Sequence, residues 1–175
     1  LIGGLDNDRL YGGEGLDTAV YQGDGDYLVR LNKAWQKTGQ GTDYLADIEN
    51  ITTGSGDDTL KGNNEANVLN GGDGRNWFYG FGGDDVFIGG VDNDRYYGGD
   101  GIDTLIMESS ENLTVNLKKI WQVTGQGTDR IQGIENVTTG SGDDWVQGDQ
   151  KANVLSAGDG NNKIYGLAGH DVLIG

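Results

Sequence analysis

The chain holds 175 residues, 34 of them Gly, with no Pro and no Cys. Gly far above its usual ~7% without Pro excludes collagen, and the missing Cys excludes disulfide scaffolds, thiolate metal sites and Cys nucleophiles. Acidic residues outnumber basic ones 28 to 12, for a formal charge of −16. A nucleic acid or an anionic membrane surface is therefore a poor partner, and no apolar run approaches the ~20 residues of a membrane span.

Only 34% of the residues are apolar. That composition with one-signed charge ordinarily leaves a chain disordered, because too little surface is buried to offset chain entropy. A folded form needs another source of free energy, and multivalent cations supply one by neutralising charge and cross-linking loops. The chain starts and stops in mid-pattern, as expected of a segment cut from a larger protein.

In chain order, nine-residue units begin at Gly3 and Gly12. A spacer from Tyr21 to Thr52 interrupts them. They resume at Thr53, Gly62, Gly71, Gly80, Gly89 and Gly98, break again from Met107 to Thr138, and return at Thr139, Gly148, Ala157 and Gly166. The two halves repeat with an offset of 86, as Thr53-Gly54-Ser55-Gly56-Asp57-Asp58 and Thr139-Gly140-Ser141-Gly142-Asp143-Asp144 illustrate. Such self-similarity marks a duplication. In each nonad the first four positions are Gly-rich and the sixth is Asp or Asn. The eighth is apolar: Leu10, Ala19, Leu60, Leu69, Phe78, Phe87, Tyr96, Leu105, Val146, Leu155, Ile164 and Leu173.

Gly permits positive φ, so a stretch such as Gly98-Gly99-Asp100-Gly101-Ile102-Asp103 can turn tightly and aim carbonyls inward. Thr104-Leu105-Ile106 then suits a short strand. Turn, strand, turn, strand gives a flat coil with two nonads per revolution, so each turn lies over the turn two nonads away. The eighth-position column lines a thin interior, and only stacking of coils makes a core. The spacers align without a gap. Each reads as strands, a turn, and a strand ending at Ile51-Thr52 or Val137-Thr138 that rejoins the solenoid. Thr38-Gly39-Gln40-Gly41-Thr42-Asp43 looks like a degenerate nonad turn, so Asp43 and Asp129 are possible further ligands; otherwise these Gly residues serve a hairpin. Trp35 and Trp121 admit two readings, a sugar-stacking platform or a cap on the thin core. Trp77 and Trp145 stand beside the core column, and Trp77-Phe78-Tyr79 with Tyr96-Tyr97 should stack along the coil.

Catalytic constellations are missing. His170 is the one His and sits inside a turn, where it reads as solvated. Lys33, Lys118 and Lys119 read as solvated too. Carboxylates are plentiful, but they lie in a periodic column, and no paired exceptions suggest acid–base work. The chain is not expected to be an enzyme, although a parent protein could be one.

The nonads resemble the RTX (repeats-in-toxin) family, whose pattern is Gly-Gly-x-Gly-x-Asp-x-apolar-x, and Asp47-Ile48-Glu49-Asn50 and Gly133-Ile134-Glu135-Asn136 resemble its spacers. The resemblance implies an all-β fold, a right-handed parallel β-roll with two spacer insertions, that binds Ca²⁺ between stacked turns. It also implies type I secretion of an unfolded chain, folding in external Ca²⁺, and an extracellular location. The expected organisation is one continuous solenoid of two modules, 1–88 with spacer 21–52 and 89–175 with spacer 107–138.

Carried over by position, Asp85 with Asp103 is the leading ion pair of turns. Asp58 with Asn76, Asp144 with Asn162 and Asn76 with Asp94 follow, with Asp92 in place of a turn Gly in the last. Asn67 with Asp85 and Asn153 with Asp171 rank lowest, because an amide oxygen brings no charge and the inner Gly is lost. Asp8 and Asp17 have partners that are cut off or lie in a spacer. The carbonyl-bearing turns contribute Gly54, Gly56, Gly72, Gly74, Gly80, Gly82, Gly89, Gly98, Gly99, Gly101, Gly140, Gly142, Gly158 and Gly160. About six to eight Ca²⁺ ions would bring about +12 to +16, near the opposite of the chain's own charge. The expected role is a calcium-binding structural module, monomeric, that stabilises or positions neighbouring domains. The alternative is a carbohydrate-binding module whose partner is a polysaccharide. An ice-binding face would need flat Thr rows, which these strands lack.

Overall fold

Strands here are short because a glycine-rich turn begins two residues after the eighth-position apolar residue, as in Phe78 and Gly80 or Tyr96 and Gly98. A computed structural model describes residues 1–175, and it contains strands and turns but no helix. The first nonads give β1 (Arg9–Tyr11) and β2 (Thr18–Val20). The first spacer gives β3 (Leu28–Arg30), β4 (Trp35–Lys37), β5 (Thr42–Ala46) and β6 (Asn50–Thr52). Regular coils follow with β7 (Thr59–Lys61), β8 (Val68–Gly72), β9 (Trp77–Gly82), β10 (Val86–Gly89), β11 (Arg95–Asp100) and β12 (Thr104–Met107). The second spacer repeats the first as β13 (Thr114–Asn116), β14 (Trp121–Val123), β15 (Thr128–Gln132) and β16 (Asn136–Thr139). The chain ends in β17 (Trp145–Gln147), β18 (Val154–Ser156), β19 (Lys163–Tyr165) and β20 (Val172–Ile174).

The strands stack as a parallel β-roll. One face is an uninterrupted eight-stranded sheet in the order β2-β6-β8-β10-β12-β16-β18-β20. Regular neighbours pair 18 residues apart, as in Phe87 beside Leu105 and Leu69 beside Phe87. The spacers leave this register intact, since Ala19 pairs with Ile51 and Leu105 with Val137. The opposite face is divided. A six-stranded sheet, β14-β15-β11-β9-β7-β3, lies between the three-stranded sheets β1-β5-β4 and β13-β17-β19.

Each spacer causes one division. In the first, β3 pairs with β7 of the following coil while β5 pairs with β1 of the preceding one, and β4 returns antiparallel to β5. The second spacer does the same with β13 on β17, β15 on β11 and β14 against β15.

A three-residue strand turns one side chain inward, and that is the eighth position. Ala19, Leu60, Leu69, Phe78, Phe87, Tyr96, Leu105, Val146 and Leu155 are fully buried, joined by Val29, Ile51 and Val115 from the spacers. Ile164 is partly buried, and Leu173 in the last strand is exposed. Phe78 and Tyr96 stack at 5.0 Å between ring centroids, and Tyr79 and Tyr97 stack outside the core at 4.9 Å. These are the along-coil stacks that the sequence suggested.

The capping role considered for Trp35 and Trp121 is not what the structure has. Both indoles point outward, 48% and 53% exposed, while the next residues, Gln36 and Gln122, point inward and are buried. Strand alternation decides this, because only one of two consecutive residues can face the core. The Gln36 amide closes the seam between β3 and β4, donating to the Arg30 and Lys33 carbonyls and accepting from the Arg30 N–H at 2.8 Å. Gln122 repeats these contacts on Asn116 and Lys119.

Truncating the packed ring, Phe78→Ala, should lower the unfolding free energy of the folded protein by about 3–5 kcal/mol. Trp121→Ala, half-exposed, should cost about 1 kcal/mol or less. Urea unfolding of the two variants beside the parent chain checks the contrast.

Candidate metal-binding turns

The turns that join the strands stack into two columns, one on each edge of the roll. The close approach of successive turns explains the glycines. At Gly99 and Gly101, φ is +123° and +136°, and a Cβ would lie 2.2 Å from the Phe81 carbonyl oxygen and 2.1 Å from that of Gly83. Gly72 and Gly74 sit in the same way over the Gly54 and Gly56 carbonyls, and Gly158 and Gly160 over those of Gly140 and Gly142. The first-position glycines have a separate reason. The sixth-position side chain folds back across its own turn, so a Cβ at Gly80 or Gly98 would lie 2.1 or 2.3 Å from Oδ2 of Asp85 or Asp103. Gly89 faces Asp94 Oδ2 and the Tyr96 hydroxyl, and Gly82 is under no comparable constraint; the tight fourth position of that turn is Gly83, with φ +89°. Asp92, which replaces a turn Gly, also adopts positive φ, +88°, so this turn keeps the shape of its neighbours at a conformational cost.

Sixth-position side chains link each turn to the one beneath. In every regular pair, a backbone N–H donates to the side-chain oxygen of the residue 18 positions later. Asp85 N–H reaches Asp103 Oδ1 at 2.9 Å. Asp58 donates to Asn76, Asn67 to Asp85, Asn76 to Asp94, Asp144 to Asn162, and Asn153 to Asp171, all at 2.8–3.0 Å. The paired positions read from the sequence are thus stacked neighbours.

The columns continue through the spacers. Asp43 Oδ1 accepts from the Asp8 N–H, and Asp129 Oδ1 from the Asp94 N–H. Glu49 and Glu135 fill the same role above Asp17 and Asp103. Sequence reading missed these two glutamates, although counting two positions back from the core residues Ile51 and Val137 would have found them. Below Asp58 and Asp144 the column ends at Tyr27 and Leu113, which keep only the backbone donor.

The second oxygen of each carboxylate separates the turns into two kinds. Oδ2 of Asp8, Asp58, Asp85, Asp103 and Asp144 is buried without a hydrogen-bond partner. At three others the protein supplies one: Tyr96 OH donates to Asp94 Oδ2 at 2.9 Å, Thr38 to Asp43 at 2.5 Å, and Thr124 to Asp129. The amides of Asn76 and Asn162 close on their own turn carbonyls, Gly72 and Gly74 in one, Gly158 and Asp159 in the other. No three His, Cys, Asp or Glu side chains are placed to hold one ion between them. An ion held here would therefore be bound chiefly by backbone carbonyls with one or two carboxylates, an all-oxygen set suited to Ca²⁺. A buried carboxylate oxygen with no donor is a costly arrangement, and a cation removes the cost. The residues present fit such an ion.

Outside the columns, the Trp and Tyr rings on the six-stranded sheet are covered by cations. The Arg95 guanidinium lies 4.3 Å over Trp77 and 5.5 Å from Trp121, Lys61 lies over Tyr79, and Arg130 over Tyr97. Arg9 lies over Trp35. One face of these rings is thus taken by a side chain of the protein, while Trp35, Trp77 and Trp121 stay 41–53% exposed. His170, Lys33, Lys118 and Lys119 are exposed.

Burial also raises the carboxyls themselves. Desolvation lifts Asp58 and Asp103 to about 6, Asp85 to about 7 and Asp94 to about 8, from an ordinary value of 3.8. The folded, metal-free chain therefore binds protons that the unfolded chain has released. Its stability should fall as pH rises from about 4 through about 8, and recover on acidification. Circular dichroism in chelator at pH 8 and pH 5 checks the sign, with more β signal expected at pH 5.

No curated protein matches the chain. The profile of the RTX calcium-binding nonapeptide repeat (4 copies) matches residues 1–28, 45–78, 52–85, 62–96, 71–105 and 138–173. These matches span well over half of the sequence and lie on the turn columns just described. The chain belongs to the RTX calcium-binding nonapeptide repeat family.

Proposed function

We propose that this chain is a calcium-assembled scaffold of a larger secreted protein. Membership in a calcium-binding structural repeat family gives the general role. The observation that carries the specific one is the set of buried, unpartnered Oδ2 atoms on Asp8, Asp58, Asp85, Asp103 and Asp144. These carboxylates hold the ions together with carbonyls of the stacked turns, among them those of Gly54, Gly56, Gly98, Gly140 and Gly142. The Asn-bearing turns at Asn67, Asn76, Asn153 and Asn162 contribute neutral oxygens and bind more weakly. Asp17, Asp94, Asp171, Asp43 and Asp129 complete the columns, and the full complement is about six to eight Ca²⁺.

When bound, Ca²⁺ supplies positive charge between carboxylates that otherwise repel. Without it, a chain of net charge −16 is expanded, which suits passage through a type I secretion channel. Outside the cell, Ca²⁺ folds it into a stiff monomeric roll that sets the spacing and orientation of its neighbouring domains.

Circular dichroism with Ca²⁺ titration tests this. Chelator should give a coil-like spectrum, and Ca²⁺ a cooperative gain of β signal, with Mg²⁺ a poor substitute because its octahedral demand is stricter. Full order in chelator at neutral pH would overturn the proposal. Replacing both Asp85 and Asp103 with Ala should raise the Ca²⁺ midpoint by roughly tenfold. Replacing Asn67 and Asn153 should raise it less, since those amides are already engaged with the Glu49 and Glu135 carbonyls.

A further inference from the structure

The two spacers rejoin the long sheet through matching contacts. In the first, Glu49 Oε2 accepts from the Asp17 N–H at 2.8 Å, and the Glu49 carbonyl accepts from Asn67 Nδ2 at 2.8 Å. In the second, Glu135 accepts from Asp103 at 3.0 Å and from Asn153 Nδ2 at 2.7 Å. All three positions obey the 86-residue offset. The side chains around them do not. Lys151 Nζ lies 2.5 Å from Glu135 Oε1, and this carboxylate is buried, with 8% of the side chain exposed. The residue at the Lys151 position in the first copy is Glu65, and that of Gly133 is Asp47.

The charge at the two junctions differs accordingly. Around Glu49 stand Asp47 and Glu65, three acids with no base, and together with Asn63 they line a cavity of about 190 Å³. Around the Lys151 ammonium stand Glu135, Asp149 and Asp103, so one base sits among the acids; Asp149 takes the place of Asn63 and caps the Lys151 N–H at 2.8 Å. Lys151 and Glu135 form one of two ion pairs in the whole chain, and the other, Arg75 with Asp57, is on the exposed outer surface.

We propose that Lys151 is a built-in cation that holds the second spacer junction closed, so that this junction orders at a lower Ca²⁺ concentration than the first, where Glu65 leaves the acids uncompensated. The inference rests on the calcium reading above and adds an order of assembly to it. A tethered ammonium needs no free-ion concentration to reach its carboxylate. The first junction has no tethered cation, so repulsion among its acids is relieved only by screening from ions in solution.

Hydrogen exchange of the full chain, followed by mass spectrometry across a Ca²⁺ titration, tests this. In the parent chain, peptides covering 131–156 should gain protection at a Ca²⁺ concentration roughly threefold or more below that of peptides covering 45–70. Lys151→Glu should erase the difference, and Glu65→Lys should bring the first junction down to the second. Equal midpoints in the parent chain, or midpoints unmoved by Lys151→Glu, would overturn the proposal. Circular dichroism at saturating Ca²⁺ establishes that each variant folds. If protection proves independent of Ca²⁺ throughout, the calcium reading itself fails. The lysine is then judged in chelator: Lys151→Gln must weaken protection at 131–156 while Glu65→Gln strengthens it at 45–70, and any other result discards its role.

Discussion

Each sixth-position carboxylate does two incompatible things, and the fold depends on how they are reconciled. One oxygen accepts the amide of the neighbouring turn and so fixes the distance between coils. That bond draws the group out of water, along with its negative charge and its second oxygen. Repeated up both edges, this arrangement places buried acids one strand spacing apart. Hydrogen bonding favours it and electrostatics opposes it. Where a hydroxyl or ammonium of the protein stands nearby, as at Tyr96, Thr38, Thr124 and Lys151, the second oxygen has a donor within the protein. Where none does, as at Asp85 and Asp103, it is left for an ion.

The hydrophobic interior cannot settle it alone. A strand of three residues contributes one inward side chain, so each coil buries only two. Large rings compensate in the middle of the roll, where Phe78, Phe87 and Tyr96 pack against one another. The glycine turns leave no room for further apolar contact at the edges. This is the structural counterpart of a composition that, by apolar content, would suit a disordered chain.

Most of the fold was legible because the nine-residue period fixes three things together: where the chain turns, which residue faces inward, and which turns meet. Ala19, Leu60 and Leu105 could be placed in the core from spacing alone, and so could the stacking of Asp85 on Asp103. The spacers were harder. Their strands pair with different coils, β3 with one and β5 with another, and nothing in a local pattern tells which partner a strand will take. That is why the buried Gln36 escaped notice beside the more conspicuous Trp35. The division of carboxylates into satisfied and unsatisfied was also hidden, because it turns on side chains such as Tyr96 that the repeat treats as plain apolar members.

The uninterrupted sheet has a geometric consequence. Both spacers loop out on one face and hand the chain back in register, so Ala19 and its counterpart Leu105 are separated by four steps of the same sheet. At the usual strand separation, one 86-residue copy lengthens the molecule by about 19 Å. Its width stays constant. Duplication of such a unit works as a ruler: genetic copy number converts linearly into reach, with no new interface to invent.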